Sequence, residues 1–443
     1  MKINIPNSVK FILEKLNNAG FSAFIVGGCV RDALLGLTPD DWDVCTSAEP
    51  HEIKKIFPKT IDTGIKHGTV TVIANGETIE VTTFRKDGDY KDNRHPETVA
   101  FTPSLEEDLS RRDFTVNAMA YNEKTGLVDL FGGINDLDKK IIKCVGDPEI
   151  RFTEDALRIL RAVRFSAQKG FVIEENTLLA IKNLCALVNN LSVERIISEI
   201  TKILVSDNPD KIKLLYETGV LEHIMPEMCR CFETKQNIKW HIYDVGTHSL
   251  VAVSHVFPKP YLRFAALMHD WGKPKSRGLN PDGSDHFRNH AKESVVLAEE
   301  FLTKYKFSNL DKDRILRLIK HHDREIIPEK KCVRRALNIV GEDIFLDLLD
   351  LKRADCRAQN FTLTAPRMKT YEEIENLYYK IKEDGEAFSL KDLAVNGNDL
   401  MKLGFKGKEI GEILNVLLSH VLDFPCNNNK EFLIGFATKQ RKN

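Results

Sequence analysis

Hydrophobic and polar positions along the N-terminal part of the chain form short strand-like and helix-like segments, and the pattern then changes to a helical period. Residues 9–16 repeat apolar side chains at helical spacing, and residues 23–26 form a short apolar run typical of a buried strand. Residues 69–73 and 78–85 predict two strands joined by an Asn-Gly turn, which is a strong hairpin signal. From about residue 152 the pattern is almost wholly helical. The sequence therefore predicts an α+β fold.

A polar segment at residues 87–103 interrupts the N-terminal pattern. Gly88, Pro96 and Pro103 break it, so it is predicted to be a mobile loop. Such a loop beside a site often closes over a substrate. An ordinary surface loop is the alternative interpretation.

The apolar run at residues 23–26 is followed by Gly27 and Gly28, which allow a sharp turn and a close approach of the backbone to a ligand. Residues 31–35 predict a short helix whose first turn faces that ligand, and a helix N-terminus suits a phosphate group. A second strand is predicted to carry Asp41 and Asp43. Because residues i and i+2 of a strand point to the same side, the two carboxylates are expected to face one spot, as a pair of Mg²⁺ ions requires.

Two further groups of polar residues are candidates for the same site. Residues 108–120 contain Arg111 and Arg112 next to Asp113, with Asn117 four residues later, and arginine forks suit triphosphate oxygens. Glu80 on the predicted hairpin is a candidate third acid. The alternatives are an ordinary surface Arg-Asp pair and an outward-facing sheet carboxylate, respectively.

A charged helix is predicted to begin at Thr153, which is a good N-cap. Glu154 and Asp155 in its first turn suit the helix dipole. At about 100° per residue, one stripe is apolar and the opposite side is charged. That charged side contains Asp155, Arg158, Arg161 and Arg164. Two interpretations are open: a solvated face with an i,i+3 ion pair, or a pair, Asp155 and Arg158, that reads the hydrogen-bonding edge of C or A.

Histidines and aspartates recur in the C-terminal half. Residues 262–268 predict an apolar helix that ends at His269 and Asp270. Together with His248 and Asp323, these residues form a candidate divalent-metal set, and His290 is a further candidate. The alternative is a helical scaffold in which the histidines are merely packed.

Composition limits these interpretations only in part. A chain of 443 residues has room for two to four domains. No run approaches the ~20 apolar residues that cross a bilayer, so no membrane partner is predicted. The nine cysteines are scattered without a Cys-x-x-Cys motif, which favours a reduced, cytoplasmic setting. A net charge of −1 argues neither for nor against nucleic acid.

The combination of the Gly27-Gly28 turn with Asp41 and Asp43 resembles the signature of the polymerase-β-type nucleotidyltransferases. In this extended form it resembles the class II tRNA nucleotidyltransferases, or CCA-adding enzymes, and the bacterial poly(A) polymerases. The resemblance implies an N-terminal nucleotidyltransferase head at residues 1–145, followed by an all-helical remainder. That remainder comprises a helical neck at 146–215 with the base-reading helix, an HD-type domain at 216–345 and a helical tail at 346–443.

The resemblance also implies a reaction, in which C, C and A are added to the 3′ end of tRNA from CTP and ATP. Asp41 and Asp43 would be the catalytic Mg²⁺ ligands. The implied nucleotide-binding residues are Gly27, Gly28, Arg31, Asp32, Arg112, Asp113, Asn117, Glu154, Asp155, Arg158, Arg161 and Arg164. In the family, Arg112 holds nucleotide and the Asp113–Asn117 pair its sugar, while Asp155 and Arg158 replace a nucleic-acid template.

The alternatives within this class are an enzyme that adds only A to tRNA and a poly(A) polymerase. Enzymes that add only C lack part of the loop that this chain keeps at residues 90–96, which disfavours that specificity. The C-terminal pattern of His248, His269, Asp270 and Asp323 resembles HD phosphohydrolases, and implies a second divalent metal and a second, phosphate-ester-hydrolysing activity. A hydrolase whose head only senses nucleotide, and a non-catalytic RNA-binding protein, are disfavoured by the intact carboxylate pair.

Overall fold

A computed structural model of the chain describes residues 2–88 and 99–441. The chain divides into two compact units, Met1–Pro226 and Glu227–Asn443. The first unit contains a seven-stranded sheet and the second is mainly helical, which confirms the predicted α+β fold class. The finer boundaries at residues 145, 215 and 345 stay predictions. The 90–96 segment lies outside the described residues.

The sheet of the first unit has seven strands: β1 Ala23–Val26, β2 Asp43–Thr46, β3 Thr60–Gly64, β4 Thr69–Ala74, β5 Glu77–Thr83, β8 Met119–Asn122 and β9 Gly126–Asp129. Their order in the sheet is β3-β4-β5-β2-β1-β8-β9. Strands β2 and β5 pair in parallel, whereas the other neighbouring strands of this sheet pair antiparallel. The parallel register places Asp43 opposite Glu80.

The predicted strands form where the apolar runs require burial. All four residues of β1 are buried. Strands β4 and β5 form the predicted hairpin, and its turn residues Asn75 and Gly76 have φ values of +52° and +86°, as a tight hairpin turn needs. The second strand ends at Thr83 rather than at residue 85, because Arg85 begins a new pairing. There β6 (Arg85–Asp87) pairs with β7 (Val99–Phe101), so strand residues occupy part of the predicted 87–103 loop.

Helices cover the sheet and continue beyond it in the first unit. They are α1 Asn7–Asn18, α2 Gly28–Leu34, α3 Pro50–Ile56, α4 Leu105–Ser110, α5 Gly133–Asp138, α6 Pro148–Glu154, α7 Leu157–Lys169, α8 Glu175–Asn183, α9 Val193–Leu204, α10 Ile212–Glu217 and α11 Val220–Ile224. Two short strands, β10 (Ile141–Ile142) and β11 (Val172–Ile173), pair in parallel. Strand β11 is a small exception to the predicted all-helical neck.

The second unit packs helices around large buried side chains such as Trp271, Phe264 and Phe345. Its helices are α12 Pro226–Glu233, which starts at the unit boundary, α13 Val245–His255, α14 Pro260–Met268, α15 Lys273–Ser276, α16 His290–Lys304, α17 Asn309–His321, α18 Lys330–Val340, α19 Glu342–Arg357, α20 Phe361–Glu383, α21 Gly397–Lys402, α22 Lys408–Asp423 and α23 Lys430–Gln440. A short hairpin of β12 (Arg277–Leu279) and β13 (Asp285–Phe287) interrupts this helical pattern.

Two features of the described residues bear on membrane spans and on the cysteines. Across residues 2–88 and 99–441, every helix is too short or too polar to cross a membrane. All nine cysteines lie in the described ranges, and none of them forms a disulfide bond there.

Candidate functional site

At the turn after β1, the side chain of Arg112 lies close to the backbone of Gly27. Gly27 has a φ of +83° and precedes α2, and its N–H donates to the carbonyl of Met119 at 3.2 Å. A Cβ added at Gly27 would lie 3.1 Å from Nη1 of Arg112. Helix α2 begins at Gly28, three residues earlier than predicted. The predicted phosphate-binding turn and Arg112 therefore lie together.

Three carboxylates lie on, or two residues before, the neighbouring strands β2 and β5. Asp43 is the first residue of β2 and faces Glu80 of β5 across the parallel register, whereas Asp41 lies two residues before the strand. The prediction that one strand carries both Asp41 and Asp43 is therefore wrong for Asp41. Partial burial raises the pKa of Asp43, the positive charge of Arg112 opposes this, and the negative charges of Glu80 and Asp41 raise it further. The three acids and Arg112 thus form one electrostatic site.

A buried aspartate that the sequence analysis did not single out organises the arginines. Asp108 on α4 is fully buried, and its Oδ1 accepts from Nε and Nη2 of Arg111 at 3.1 and 2.6 Å. Its other oxygen accepts from Nη2 of Arg112 at 3.3 Å. Burial opposes ionisation of Asp108, but the two guanidinium groups lower its pKa. Asp108 therefore holds Arg112 in place against the Gly27 turn.

A chain of polar contacts connects α2 with α7. Arg31 donates to Oδ1 of Asn117, and Asn117 donates to Asp113 at 3.1 Å. Nε of Arg161 donates to the other oxygen of Asp113 at 2.8 Å. Burial would raise the pKa of Asp113, but Arg161 and Asn117 outweigh it and lower that pKa to about 2. Asp113 is therefore a fixed anion between Asn117 and Arg161 of α7.

The other side of Arg31 is also fully engaged. Its Nε and Nη2 form a two-pronged contact with Asp32, at 2.9 Å each, and Lys169 of α7 reaches the same carboxylate at 2.7 Å. The guanidinium groups of Arg31, Arg161 and Arg164 lie 5.2, 5.3 and 4.2 Å from the ring centre of Phe165. These contacts fix the arginine face by cation–π attraction as well as by hydrogen bonds.

The predicted arginine-bearing helix is broken where the sequence analysis placed its first turn. Glu154 ends α6, Asp155 has a φ of −136°, and α7 begins at Leu157. Asp155 accepts from the Leu157 N–H at 3.1 Å and from Nη2 of Arg195 at 3.1 Å to each oxygen. The prediction that Thr153 caps a single helix is therefore wrong. Arg195, on α9, is a partner that local sequence does not reveal.

Arg158 and Arg164 are buried rather than solvated. Nη1 of Arg158 donates to Glu154 at 2.8 Å, and its Nη2 donates to the carbonyl of Arg111 at 2.9 Å. Nε of Arg164 lies 3.1 Å from Glu199 of α9. Burial, reinforced by the charge of Arg161 and opposed by Glu199, lowers the pKa of Arg164 to about 10. Both arginines therefore belong to the packed interior, and the solvated-face interpretation fails for them.

The second unit brings four histidines around one aspartate. Oδ2 of Asp270 lies 3.4 Å from Nε2 of His248 and 3.2 Å from Nε2 of His269. Its Oδ1 lies 3.4 Å from Nε2 of His290 and 3.7 Å from Nε2 of His322. The candidate metal residues His248, His269, Asp270 and His290 thus do come together, and His322 joins them.

The final acid of this cluster is Asp355 on α19, in the place where the sequence analysis put Asp323. Oδ1 of Asp355 lies 3.0 Å from Nε2 of His248 and 3.9 Å from Nε2 of His269. Burial would raise the pKa of Asp355, but His248 and His269 lower it. Asp323 is exposed at the rim of the adjoining cavity. The prediction of Asp323 as a member of the cluster is not supported by these contacts.

A cavity of about 790 Å³ adjoins the cluster and is lined in part by Asp270, His290, His322 and Asp355. Its lining also includes four basic residues: Lys273, Arg324, Lys352 and Arg367. Nζ of Lys273 lies 2.7 Å from Oδ2 of Asp270 and 2.9 Å from Oε1 of Gln236. Burial lowers the pKa of Lys352 to about 8, against the opposing charges of Asp355 and Asp323. The cavity therefore suits an anionic ligand beside the histidines.

Three family models match successive parts of the chain. Residues 23–143 match the poly A polymerase head domain, and residues 170–232 match the probable RNA and SrmB-binding site of polymerase A. Residues 289–437 match the putative domain 2 of tRNA nucleotidyltransferases. These matches define the class of the protein as a nucleotidyltransferase with a head of the polymerase A type. None of the three descriptions names an HD domain, so that resemblance stays a prediction.

Full-length relatives identify the family. The CCA-adding enzyme of Ligilactobacillus salivarius (strain UCC118) is 36% identical over 444 residues, which cover 98% of both chains. The crystal structure of the Bacillus stearothermophilus CCA-adding enzyme in complex with CTP is similar with a TM-score of 0.73 at 30% identity, covering 98% of this chain and 97% of that one. The chain belongs to the CCA-adding enzymes and is a CCA tRNA nucleotidyltransferase. A Thermotoga maritima CCA-adding enzyme complexed with tRNA shares the fold, with a TM-score of 0.62 at 19% identity over the whole of both chains.

Proposed function

We propose that the first unit catalyses attack of a tRNA 3′-hydroxyl on the α-phosphate of CTP or ATP, with Asp41, Asp43 and Glu80 as the Mg²⁺ ligands. The observation that carries this proposal is the convergence of the three acids and Arg112 at the Gly27 turn. Carboxylate oxygens are the ligands that Mg²⁺ prefers. Burial raises the pKa of Asp43, and the negative charges of Glu80 and Asp41 raise it further; a bound cation would relieve this repulsion. Asp41, Asp43 and Glu80 would hold Mg²⁺, which would supply activation of the hydroxyl and charge neutralisation for the departing pyrophosphate.

The residues around the acids position the nucleotide. Asp108 holds Arg112 close to the backbone of Gly27. In this position Arg112 would bind triphosphate oxygens. We assign Arg31, Asp113 and Asn117 to the sugar end, because their mutual contacts fix each donor and acceptor before the nucleotide arrives. Gly28, Asp32, Arg161 and Arg164 complete this set as proposed nucleotide-binding residues. Such preorganisation lowers the cost of aligning the reacting groups.

We assign base selection to Asp155 and Arg158. The structure holds them through separate partners: Arg195 holds Asp155, and Glu154 holds Arg158. An aspartate accepts from the exocyclic amine of C or A and an arginine donates to their ring or carbonyl acceptors, which U and G match less well. Arg158 would exchange one of its present acceptors for the base. The partners tRNA, CTP and ATP, and a cytoplasmic location, belong to the same proposal.

The test is incorporation of labelled CTP and ATP into tRNA that lacks its 3′ end, with products resolved to single nucleotides. Asp41→Ala and Asp43→Ala are expected to abolish incorporation and to spare tRNA binding. Asp62→Ala is the control, because Asp62 is an exposed carboxylate on the edge strand β3 of the same sheet. Near-normal incorporation by either active-site variant contradicts the assignment. A finite CCA end is expected, whereas a single A or an open-ended A tail indicates the A-only or poly(A) alternatives.

A second candidate function is hydrolysis of a phosphate ester in the second unit. The observation that favours it is the histidine–aspartate cluster in the wall of a cavity that four basic residues also line. Wild-type protein is expected to hydrolyse a phosphomonoester or a cyclic phosphodiester with Mn²⁺, Ni²⁺ or Mg²⁺, and His269→Ala and Asp270→Ala are expected to lose that activity. Absence of hydrolysis by the wild type with all three cations rejects this function.

A further inference from the structure

Two of the proposed sugar-binding residues are joined by one short turn. Asp113 precedes this turn, and Thr115–Asn117 forms it as a single turn of 3₁₀ helix. Nδ2 of Asn117 donates to Oδ1 of Asp113 at 3.1 Å, and the backbone N–H of Asn117 donates to the carbonyl of Phe114 at 2.9 Å. A 3₁₀ turn this short has poorer hydrogen-bond geometry than an α-helix. Its orientation therefore depends on the elements that contact it.

Helix α5 contacts this turn through a buried hydrogen bond. Oγ1 of Thr115 donates to Oδ2 of Asp136 at 2.7 Å, and both side chains are buried. The helix also lies directly against the backbone of the turn. A Cβ added at Gly133 would collide with the carbonyl oxygen of Thr115 and would lie 2.9 Å from Cγ of Met119. The turn and the helix are therefore packed without space for a shift of either one.

Further backbone contacts fix the helix and the turn in place. The two carboxylate oxygens of Asp129, at the end of β9, accept the first N–H groups of α5, from Gly133 at 2.7 Å and from Ile134 at 2.9 Å. The N–H of Thr115 donates to the carbonyl of Lys143 at 2.9 Å. The hydrogen bond between the two buried side chains therefore joins an anchored helix to an anchored turn.

Asp136 differs from the other buried aspartates of the first unit. Asp108 and Asp113 are paired with arginines, whereas Asp136 forms no ion pair with any residue in the ranges 2–88 and 99–441. Its side chain accepts from the hydroxyl of Thr115 instead. Burial of a carboxylate without a cation costs free energy, and carboxylates are seldom buried unpaired. Stability alone therefore explains this residue poorly, and its contact leads to the turn that carries Asn117.

We propose that Asp136 is a positioning residue for the ribose of the incoming nucleotide. Through Thr115 it holds the turn that presents Asp113 and Asn117, so the inference rests on their assignment to the sugar end in the proposed function. A carboxylate keeps lone pairs for a sugar hydroxyl beside those that already accept. A 2′-deoxynucleotide has no hydroxyl at that position, so precise placement of the turn favours ribonucleotides. Asp136 thus acts on the choice of sugar through Thr115.

The test compares CTP with 2′-deoxy-CTP in the incorporation assay on tRNA that lacks its 3′ end. Asp136→Leu removes the acceptor and is expected to lower the ratio of kcat/KM for CTP to that for deoxy-CTP by about fivefold or more, chiefly by raising the KM for CTP. Asp136→Asn keeps an acceptor oxygen and should retain the ratio within about twofold. Asp138→Leu is the matched control, because Asp138 is an exposed carboxylate on the same helix.

A double substitution separates positioning from stability. Thr115→Val leaves Asp136 without its donor and is expected to lower both the ratio and the free energy of unfolding in urea. Thr115→Val combined with Asp136→Leu replaces both partners by apolar groups, which restores much of the stability but not the hydrogen bond. The ratio is therefore expected to stay low in the double variant. A double variant that regains the wild-type ratio overturns the proposal, as does an equal loss for CTP and deoxy-CTP in a folded Asp136→Leu protein.

Asn117→Ala distinguishes this inference from the sugar assignment on which it rests. If Asn117→Ala lowers the ratio and Asp136→Leu does not, the positioning role is rejected and the sugar assignment stands. If neither variant changes the ratio although both still incorporate CTP, the sugar assignment is rejected and the positioning role is rejected with it.

Discussion

Gly27 has a positive φ and lies beside the charged side chain of Arg112. Its φ is +83°, which strains any residue with a Cβ, and the space that a Cβ would occupy is 3.1 Å from Nη1 of Arg112. Gly76 has nearly the same angle, with a φ of +86°, but a Cβ there would meet nothing within 4 Å. The two glycines therefore separate backbone strain from displacement of the arginine.

We predict different kinetic effects for Gly27→Ala and Gly76→Ala. Both are expected to lower the free energy of unfolding by about 1–2 kcal/mol, because each forces alanine into a left-handed conformation. Gly27→Ala also pushes the guanidinium of Arg112 away from its position. Loss of a charge-assisted contact of about 1.5–3 kcal/mol corresponds to a rise in the KM for CTP of about tenfold or more. Steady-state CTP incorporation and urea unfolding measure the two effects, and equal KM values in the two variants contradict the assignment of Arg112.

Single residues also show how far sequence predicts this site. Gly27, Asp43 and Arg112 were predictable, because short spacings within strand and turn patterns determine their placement. Asp108 and Asp355 were not singled out, since their roles depend on contacts that the fold creates, such as that of Asp355 with His248. Asp323 was favoured because it follows His322 directly, but adjacency along the chain did not bring its carboxylate into the cluster.

Helix α9 fixes both ends of the base-reading region. Its Arg195 binds Asp155 and its Glu199 binds Arg164, while Ile196, Ile200 and Ile203 pack on its buried face. Asp155 leaves the helix because its carboxylate accepts the N–H of Leu157 and the guanidinium of Arg195 instead of lying in a regular turn. Helical periodicity predicted one continuous helix there, because it considers only neighbouring residues. The contact of Asp155 with Arg195, which is distant in sequence, does not enter such a prediction.

We predict that Arg195 acts on nucleotide choice through Asp155. Arg195→Ala frees the carboxylate to rotate, so discrimination of C and A against U and G should fall by about tenfold, or roughly 1.4 kcal/mol, with a smaller loss of total turnover. Competition assays with the four nucleotides measure this. In an Asp155→Ala background the same substitution should change discrimination no further. An equal additional loss in that background indicates a merely structural role for Arg195.

The two units surround their buried carboxylates with different partners. The first unit pairs its buried carboxylates, Asp108 and Asp113, with arginines. The second unit surrounds Asp270 with the Nε2 atoms of four histidines. The change from mixed to helical periodicity near residue 152 was sufficient to predict the overall fold class. It did not locate the two-unit boundary at Pro226, which falls within continuous helical sequence.

This difference predicts that a chelator destabilises the second unit selectively. A cation present at about 100 times its dissociation constant stabilises the folded state by about 2.7 kcal/mol. Since 1 kcal/mol shifts Tm by about 2–4 °C for a unit of roughly 200 residues, removal of the metal should lower one calorimetric transition by about 5–10 °C. CTP with Mg²⁺ should raise the other transition, which assigns it to the first unit. In Asp270→Asn the chelator should move neither transition, because the carboxylate at the centre of the cluster is lost. A chelator that shifts both wild-type transitions equally, or shifts neither, contradicts a metal confined to the histidine cluster.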